Sequence, residues 1–257
     1  MNNDVSARVE KAALYDRYRL PYAGEAVDDL LARTGPAAVV ADVGAGTGQL
    51  ARLFAARCAG VYAVEPDPAM RQVATTALAA WPNIEIVAAT AEQTTLADQS
   101  IDLIVIGNAF HRFKPEACAE LRRVLRPGGW IARFTYNFLN QAYTEMLFPK
   151  LATLPSLSSR NDKAWHSMPI EALFGAAPML TLSYEQTHSQ DWTAFFGAAC
   201  SGIESPEAAD PEFARFEAIN REVFEAFAVD GAFEMAYETR VTFGQLAVYD
   251  TETRRDN

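Results

Sequence analysis

A strand-like run, Val39-Val40-Ala41-Asp42-Val43, passes directly into Gly44-Ala45-Gly46-Thr47-Gly48. Glycines at alternate positions let the backbone approach a ligand with no Cβ in the way, and a helix starting after them adds N–H groups. The spacing separates two cofactor classes. A dinucleotide fingerprint, G-x-G-x-x-G, needs its third glycine at position 49, where Gln49 stands. Here the glycines run G-x-G-x-G, with Asp42 two residues ahead of the first. An acid beside the turn suits the sulfonium and ammonium of S-adenosylmethionine better than a pyrophosphate. For the glycines alone, a tight turn that binds nothing is the plainer alternative.

Glu65 follows 17 residues after Gly48, at the end of a second apolar run. A carboxylate there can accept from both hydroxyls of a ribose, although a lone acid at a strand end is more often a solvated turn residue. His111 is the candidate base. An imidazole near neutral pH can take a proton from a hydroxyl or amine, and the competing role is to tie down a loop. His166 and His188 read as incidental, and three histidines so dispersed nominate no metal site.

The elements that must position these residues alternate over the first ~140 residues between short apolar runs and amphipathic helical patterns, the signature of βαβ units and an α/β fold. Ala37–Val43, Val61–Val64, Ile84–Ala88 and Ile101–Ile106 read as strands, the last apolar enough to be covered on both sides. Leu50, Leu53, Phe54 and Cys58 line one helix. Met70, Val73, Ala74, Ala77 and Leu78 line a second, which Pro68 opens. A helix after Pro115 ends at Pro127-Gly128-Gly129, before a strand from Trp130 to Tyr136. Residues 138–178 have mixed patterning and are expected to form a helical insertion over the active edge. Leu180, Leu182 and Tyr184 alternate as a strand. A helix spans Glu212 to Phe227, and Phe233, Met235, Tyr237, Val241 and Phe243 mark a long final strand. A parallel sheet that closes with a long late strand suggests one antiparallel member. The expected division is one domain over 1–257: a helical cap (1–36), a cofactor core (37–137), the insertion (138–178) and closing elements (179–250).

A chain of 257 residues, half of them hydrophobic, can bury a substantial core. The net charge of −11 argues against a nucleic-acid or anionic-membrane partner. Cys58, Cys118 and Cys200 form no CxxC pair, and Met1–Asp4 carries neither a basic nor an apolar leader. No apolar run approaches the ~20 residues that span a bilayer. The expectation is a soluble, cytoplasmic monomer or homodimer acting on a small molecule.

The chain resembles the class I S-adenosylmethionine-dependent methyltransferases, particularly their small-molecule group, whose first motif is D-x-G-x-G-x-G. Further matches are Val64-Glu65-Pro66-Asp67-Pro68-Ala69-Met70, Ala91-Glu92 ahead of Ile101-Asp102, Asn108-Ala109-Phe110-His111-Arg112-Phe113, and Leu125-Arg126-Pro127-Gly128-Gly129. They cover roughly residues 37–135 in order. The resemblance implies a Rossmann-like, doubly wound seven-stranded sheet, mostly parallel with an antiparallel last strand. It implies that Gly44, Ala45, Gly46 and Gly48 shape the cofactor turn, with Asp42 orienting it, and that Glu65 holds the ribose. Pro66 and Met70 would pack at the adenine, Thr90, Ala91 and Glu92 along its other edge, and Asn108 near the methionine part. It also implies an N-terminal helix that closes over the cofactor, with Tyr15 and Arg19 near its carboxylate; a surface arginine is an equal reading of Arg19. Tyr18, Tyr22, Phe113, Tyr136 and Asn137 are candidate acceptor contacts, with Tyr143, Trp165 and Trp192 as further walls; for the tryptophans, core packing is the simpler role. Similar enzymes often carry His-Trp-Phe where this chain has His111-Arg112-Phe113, which removes an aromatic wall. The implied activity is methyl transfer to a small, partly apolar O, N or C acceptor, with S-adenosylhomocysteine as product. The alternatives are cyclisation or isomerisation with the same cofactor, a non-catalytic binding protein, or a nicotinamide-dependent oxidoreductase, which Gln49 disfavours.

Overall fold

β1 (Val39–Val43), β2 (Gly60–Val64), β3 (Ile84–Val87), β4 (Ile101–Gly107) and β5 (Leu125–Phe138) form where the apolar runs fall. With β6 (Leu180–Asp191) and β7 (Ala232–Gln245) they make one seven-stranded sheet in the order β3-β2-β1-β4-β5-β7-β6. β1 to β5 pair in parallel, and β7 runs antiparallel between β5 and β6. The chain reverses its order of strand addition between β1 and β4. At such a switch point the carboxyl ends of the strands diverge and leave a crevice. The computed structural model describes residues 2–35, 38–158, 169–175 and 177–246, so Trp165 and His166 lie outside the described residues.

Alternation along the strands sends side chains to two cores. Val40 of β1, Leu103 and Val105 of β4, Ala132 and Phe134 of β5, and Val241 and Phe243 of β7 pack on one face. They meet α2 (Gly24–Thr34), α3 (Gln49–Ala55) and α4 (Pro68–Ala77) through Val27, Leu30, Leu50, Phe54 and Ala74. Ala41, Val43, Ile104, Ile106 and Ile131 pack on the other face, against Leu121 and Val124 of α5 (Ala117–Val124). Asp67 caps α4 by accepting from Ala69 N at 2.8 Å, with Pro68 in the first turn where its missing N–H costs nothing.

Two stretches differ from the sequence expectation. The strand expected from Trp130 begins at Leu125, directly after α5. The register jumps from Ile101↔Leu125 to Leu103↔Trp130, so Arg126–Gly129 bulge out of the ladder, and Gly128 takes a φ of 78°. Pro127-Gly128-Gly129 therefore bends a strand and does not merely end a helix. The second is α9 (Trp192–Cys200), which the sequence did not reveal because Trp192-Thr193-Ala194-Phe195-Phe196-Gly197-Ala198-Ala199-Cys200 is apolar nearly all round and has no face to read.

The insertion contributes α6 (Gln141–Leu151), α7 (Pro155–Ser158) and α8 (Ile170–Phe174). α6 joins α9, α10 (Phe213–Phe227) and the outer half of β7 in a third core built from Tyr143, Leu147, Phe195, Val223, Phe224, Phe233 and Tyr237. α1 (Asn2–Tyr18) lies across the strand ends. Arg8 pairs with Asp67 at 2.6 Å, Asp16 with Arg52 at 2.9 Å, and Lys11 Nζ donates to Ser205 O at 2.8 Å. Among the described residues no helix is long and apolar enough to cross a membrane.

Candidate active site

The glycine turn after β1 has its N–H groups already engaged by the end of β2. Gly44 N and Ala45 N both donate to Val64 O, at 2.8 and 3.0 Å, and Gly46 N donates to Glu65 Oε2 at 2.8 Å. The other carboxylate oxygen, Oε1, accepts from Asp67 N at 2.8 Å. A phosphate-cradling loop needs these donors free and aimed at the anion. Here a carboxylate holds the central one, and it would repel a pyrophosphate brought to the turn. Each Glu65 oxygen still has a lone pair for a hydroxyl donor. Burial raises the Glu65 carboxyl above the ordinary carboxylate value, and the two backbone N–H groups pull it back.

Gly44, Gly46 and Gly48 all take positive φ, at 74°, 58° and 85°. Their reasons differ. A Cβ on Gly44 would stand 2.5 Å from the Ala109 Cβ, and one on Gly48 would stand 2.7 Å from Leu78. On Gly46 it would meet nothing closer than the Tyr15 ring at 3.9 Å. Gly44 and Gly48 are glycine for packing, whereas Gly46 borders open space. That space is a cavity of about 350 Å³, within the range of small-molecule sites.

Of the residues named from the sequence as cofactor contacts, the cavity brings together Tyr15, Gly44, Gly46, Glu65, Pro66, Met70, Thr90, Ala91, Glu92 and Asn108; Phe113, named as an acceptor contact, lines it as well. Asn108 closes the β4 end in a left-handed conformation (φ 49°), which asparagine tolerates better than most residues, and its N–H is held by Phe134 O at 3.0 Å. Burial disfavours the charged form of Glu92, but the Lys114 N–H on its Oε1 at 2.9 Å, its own backbone N–H, Thr90 and the charge of Lys114 together outweigh this and hold the carboxyl below the usual value.

Asp42, Ala45, Gly48 and Arg19 do not line this cavity. Asp42 is 1% exposed, and its Oδ2 accepts from Ala51 N at 3.0 Å, in the first turn of α3. Its Oδ1 is buried with no partner, and burial, with the charge of Glu65 adding to it, pushes the carboxyl up to about 7. Asp42 thus anchors the helix that follows the glycine turn, from inside the core. His111 lies in a single 3-10 turn, Phe110–Arg112, and lines neither this cavity nor the one described next. Burial lowers its imidazole, the neighbouring Arg112 lowers it further, and Arg112 Nε donates to its Nε2 at 3.4 Å. In a 3-10 turn successive side chains point about a third of a turn apart, and it is Arg112 that reaches the cavity.

Three cavity residues that the sequence analysis passed over, Arg8, Lys11 and Ala12, share a face of α1 with Tyr15. Their i, i+3, i+4, i+7 spacing was the available signal, hidden by the mixture of charged and apolar types. Ser201, Ile203 and Glu207 also contribute, from the segment after α9.

A second cavity, of about 180 Å³, is walled by aromatic and aliphatic side chains of α6, α9, α10 and β7, including Tyr143, Phe195, Phe216 and Met235. Tyr18 and Tyr136, expected as acceptor contacts, line it, and so does Arg19. Tyr15 lines the first cavity and Arg19 the second, and the Arg19 guanidinium sits 4.8 Å above the Tyr15 ring, so the pair stands between them. Tyr22 is buried against Phe134 and Tyr136 and lines neither cavity. Asn137 is exposed, donating to Glu238 Oε1 at 2.9 Å. Trp192 packs in the third core, stacked on Phe196 at 4.9 Å with the Arg221 guanidinium 3.6 Å from its ring centroid.

The charges on the lining suit a zwitterionic ligand. Both signs of charge are present (Arg8, Lys11 and Arg112 against Glu65, Asp67, Glu92 and Glu207), and the turn has room for a ligand at Gly46. Gly44, Gly46, Glu65, Asn108 and Tyr15 would hold S-adenosylmethionine.

Residues 41–132 match the family described as a methyltransferase domain. An uncharacterised methyltransferase of Mycobacterium tuberculosis is 42% identical over 118 residues, 45% of this chain and 46% of that protein. An uncharacterised methyltransferase-like protein of Schizosaccharomyces pombe is 34% identical over 93 residues, 35% of each chain. The chain thus spans under half the length of the curated relatives it matches. Among solved structures, a proposed type II methyltransferase from Anaeromyxobacter dehalogenans shares the fold with a TM-score of 0.58 and 20% identity, over 89% of this chain and 97% of that one. A proposed methyltransferase from an antibiotic biosynthesis pathway of Anabaena variabilis gives 0.55 and 19%, over 86% and 97%.

Proposed function

We propose that the chain, whose residues 41–132 match a methyltransferase domain, is a class I S-adenosylmethionine-dependent methyltransferase that transfers a methyl group to a small, partly apolar O, N or C acceptor. The observation that carries this proposal is the Glu65 carboxylate on Gly46 N–H: it disfavours a pyrophosphate at the turn and leaves lone pairs for a ribose. Held by Gly44, Gly46 and Glu65, S-adenosylmethionine would supply a methyl group on a positive sulfur, to be passed to an acceptor lone pair with S-adenosylhomocysteine as the leaving group.

The chain's own part is alignment and exclusion of water, which can supply several kcal/mol of barrier lowering without a strong base. Glu65 and the glycine turn fix the ribose end. Thr90, Ala91 and Met70 flank the adenine, and Asn108 with Phe113 borders the point of transfer. α1, pinned by Arg8, Asp16 and Lys11, covers the cavity and keeps water from it. The aromatic second cavity next to it supports an apolar acceptor.

Incubation with S-adenosylmethionine and a panel of small acceptors, followed for S-adenosylhomocysteine, tests the proposal. Acceptor-dependent release with methylated product supports it. A cofactor-dependent change in the acceptor with no S-adenosylhomocysteine would replace methyl transfer by cyclisation or isomerisation.

A further inference from the structure

The second cavity has an uneven electrostatic character. Among the described residues that line it there is no Asp, Glu or Lys, and Arg19 is the one charged side chain. Arg19 is half-buried, and no carboxylate of a described residue lies within ion-pair distance of it. One Nη donates to Tyr136 Oη at 3.3 Å, and Nε is buried with no partner. A guanidinium has five N–H donors, so most of this one's capacity is unused. The Tyr15 face offsets part of the cost of holding the cation out of water, but cation–π contacts do not satisfy N–H groups. Buried guanidinium groups are ordinarily paired, because an uncompensated one is costly.

A second polar group on the lining is also unspent. Gln190, at the end of β6, is 2% exposed, lines the cavity, and its side-chain amide makes no hydrogen bond with any described residue. Ser205 Oγ and Asn220 Nδ2 on the lining already donate to Ala199 O and Phe216 O, at 2.6 and 2.8 Å, and most of the remaining wall is aromatic or aliphatic, with Tyr143, Phe195, Phe216 and Met235 among it. A cavity with an apolar body, one unpaired cation and one free amide is complementary to an amphiphilic anion.

We propose that this cavity is the acceptor pocket and that the acceptor class is a small aromatic or aryl-alkyl carboxylate, its carboxylate paired with Arg19 and its apolar body among Tyr143, Phe195 and Phe216. The assignment rests on the methyl-transfer function proposed above, because only then does the anion lie beside a reactive methyl. Arg19 is a recognition residue here. Its planar fork suits a carboxylate, which neutral amides or alcohols of the same shape cannot match. A site built around such a charge discriminates strongly against the neutral isostere, since that ligand leaves the cation unpaired.

The test is calorimetric, with the full chain first saturated with S-adenosylhomocysteine. Benzoate, phenylacetate and 3-phenylpropionate are titrated beside their carboxamides, and the acids again without the cofactor product. At least one acid is expected to bind ten-fold or more tighter than its amide. Arg19→Met should abolish that preference while leaving the Kd for S-adenosylhomocysteine within about two-fold. Amides that bind as well as acids, or no acid binding at all, overturn the pocket assignment. If Arg19→Met instead weakens S-adenosylhomocysteine and spares the acids, the guanidinium serves the cofactor carboxylate and the proposal fails. The acid–amide comparison needs no variant, so poor folding of Arg19→Met leaves it decisive. Failure of the intact protein to bind S-adenosylhomocysteine would count against methyl transfer, and the cofactor-free titrations would still report on the pocket.

Discussion

Asp42 lies two residues before the first glycine, where an acid was expected to face the ligand, yet its carboxylate turns inward to the Ala51 N–H. Sequence alone could place the acid at the turn but could not say which side of it the side chain takes, because that depends on how α3 leaves the sheet. The inward position has a pH consequence. Burial lifts Asp42 from its ordinary value of 3.8 to about 7, so the folded state holds a proton that the unfolded chain has released. The contribution is fully present below the ordinary value and is lost as pH rises through about 7. One pKa unit corresponds to about 1.4 kcal/mol, and allowing for relaxation of the buried site the loss is on the order of 2 kcal/mol. Other carboxylates act oppositely: Glu120, bound to Arg123, is held down at about 2. The difference between wild type and Asp42→Asn isolates the group. The asparagine keeps an acceptor for Ala51, and its stability, from urea melts between pH 4 and 8, should gain on wild type as pH rises. Parallel curves would show that Asp42 is ionised throughout. Asp42→Ala should cost about 1–3 kcal/mol at every pH, from the unpaired Ala51 N–H and the lost volume.

At the scale of elements, the positions of the parallel strands were legible because each is a short apolar run bounded by turn residues, and β7 because it alternates over 14 residues. The cover was less so. α9 has no polar face to betray its period, and the second cavity draws its wall from segments far apart in sequence, which no local pattern joins. The junction of α1 with α9 is tight. A Cβ on Gly197 would stand 2.4 Å from the Tyr18 ring, so the two helices approach only because Gly197 has none. Gly197→Ala gains ~1 kcal/mol of helix propensity but should lose about 1–3 kcal/mol to the clash. A lower Tm is expected, together with weaker binding of S-adenosylhomocysteine, because Tyr15 on the displaced helix lines the cavity proposed for the cofactor. A raised Tm with unchanged affinity would mean that α1 does not rest on α9 in solution.

For the molecule as a whole, the sheet's switch point, the carboxylate on the glycine turn and the aromatic cavity beside it form one arrangement. It has a zwitterion-compatible site under α1 and an apolar compartment across the Tyr15–Arg19 pair. The cavity proposed for the cofactor was legible because most of its residues cluster in four short segments that follow β1, β2, β3 and β4. The cavity proposed for the acceptor was not, since Arg19 reads equally well as a surface residue until Tyr136, 117 positions away, is brought beside it. The most direct test is to titrate the intact protein with S-adenosylhomocysteine by calorimetry beside Gly46→Arg, whose side chain would fill the open flank of the turn, with Tm measured for both. Micromolar binding by the intact protein, lost in a variant that still melts cooperatively, is the expected result. No binding by the intact protein, or equal binding by both, would contradict the assignment of the glycine turn as the cofactor site.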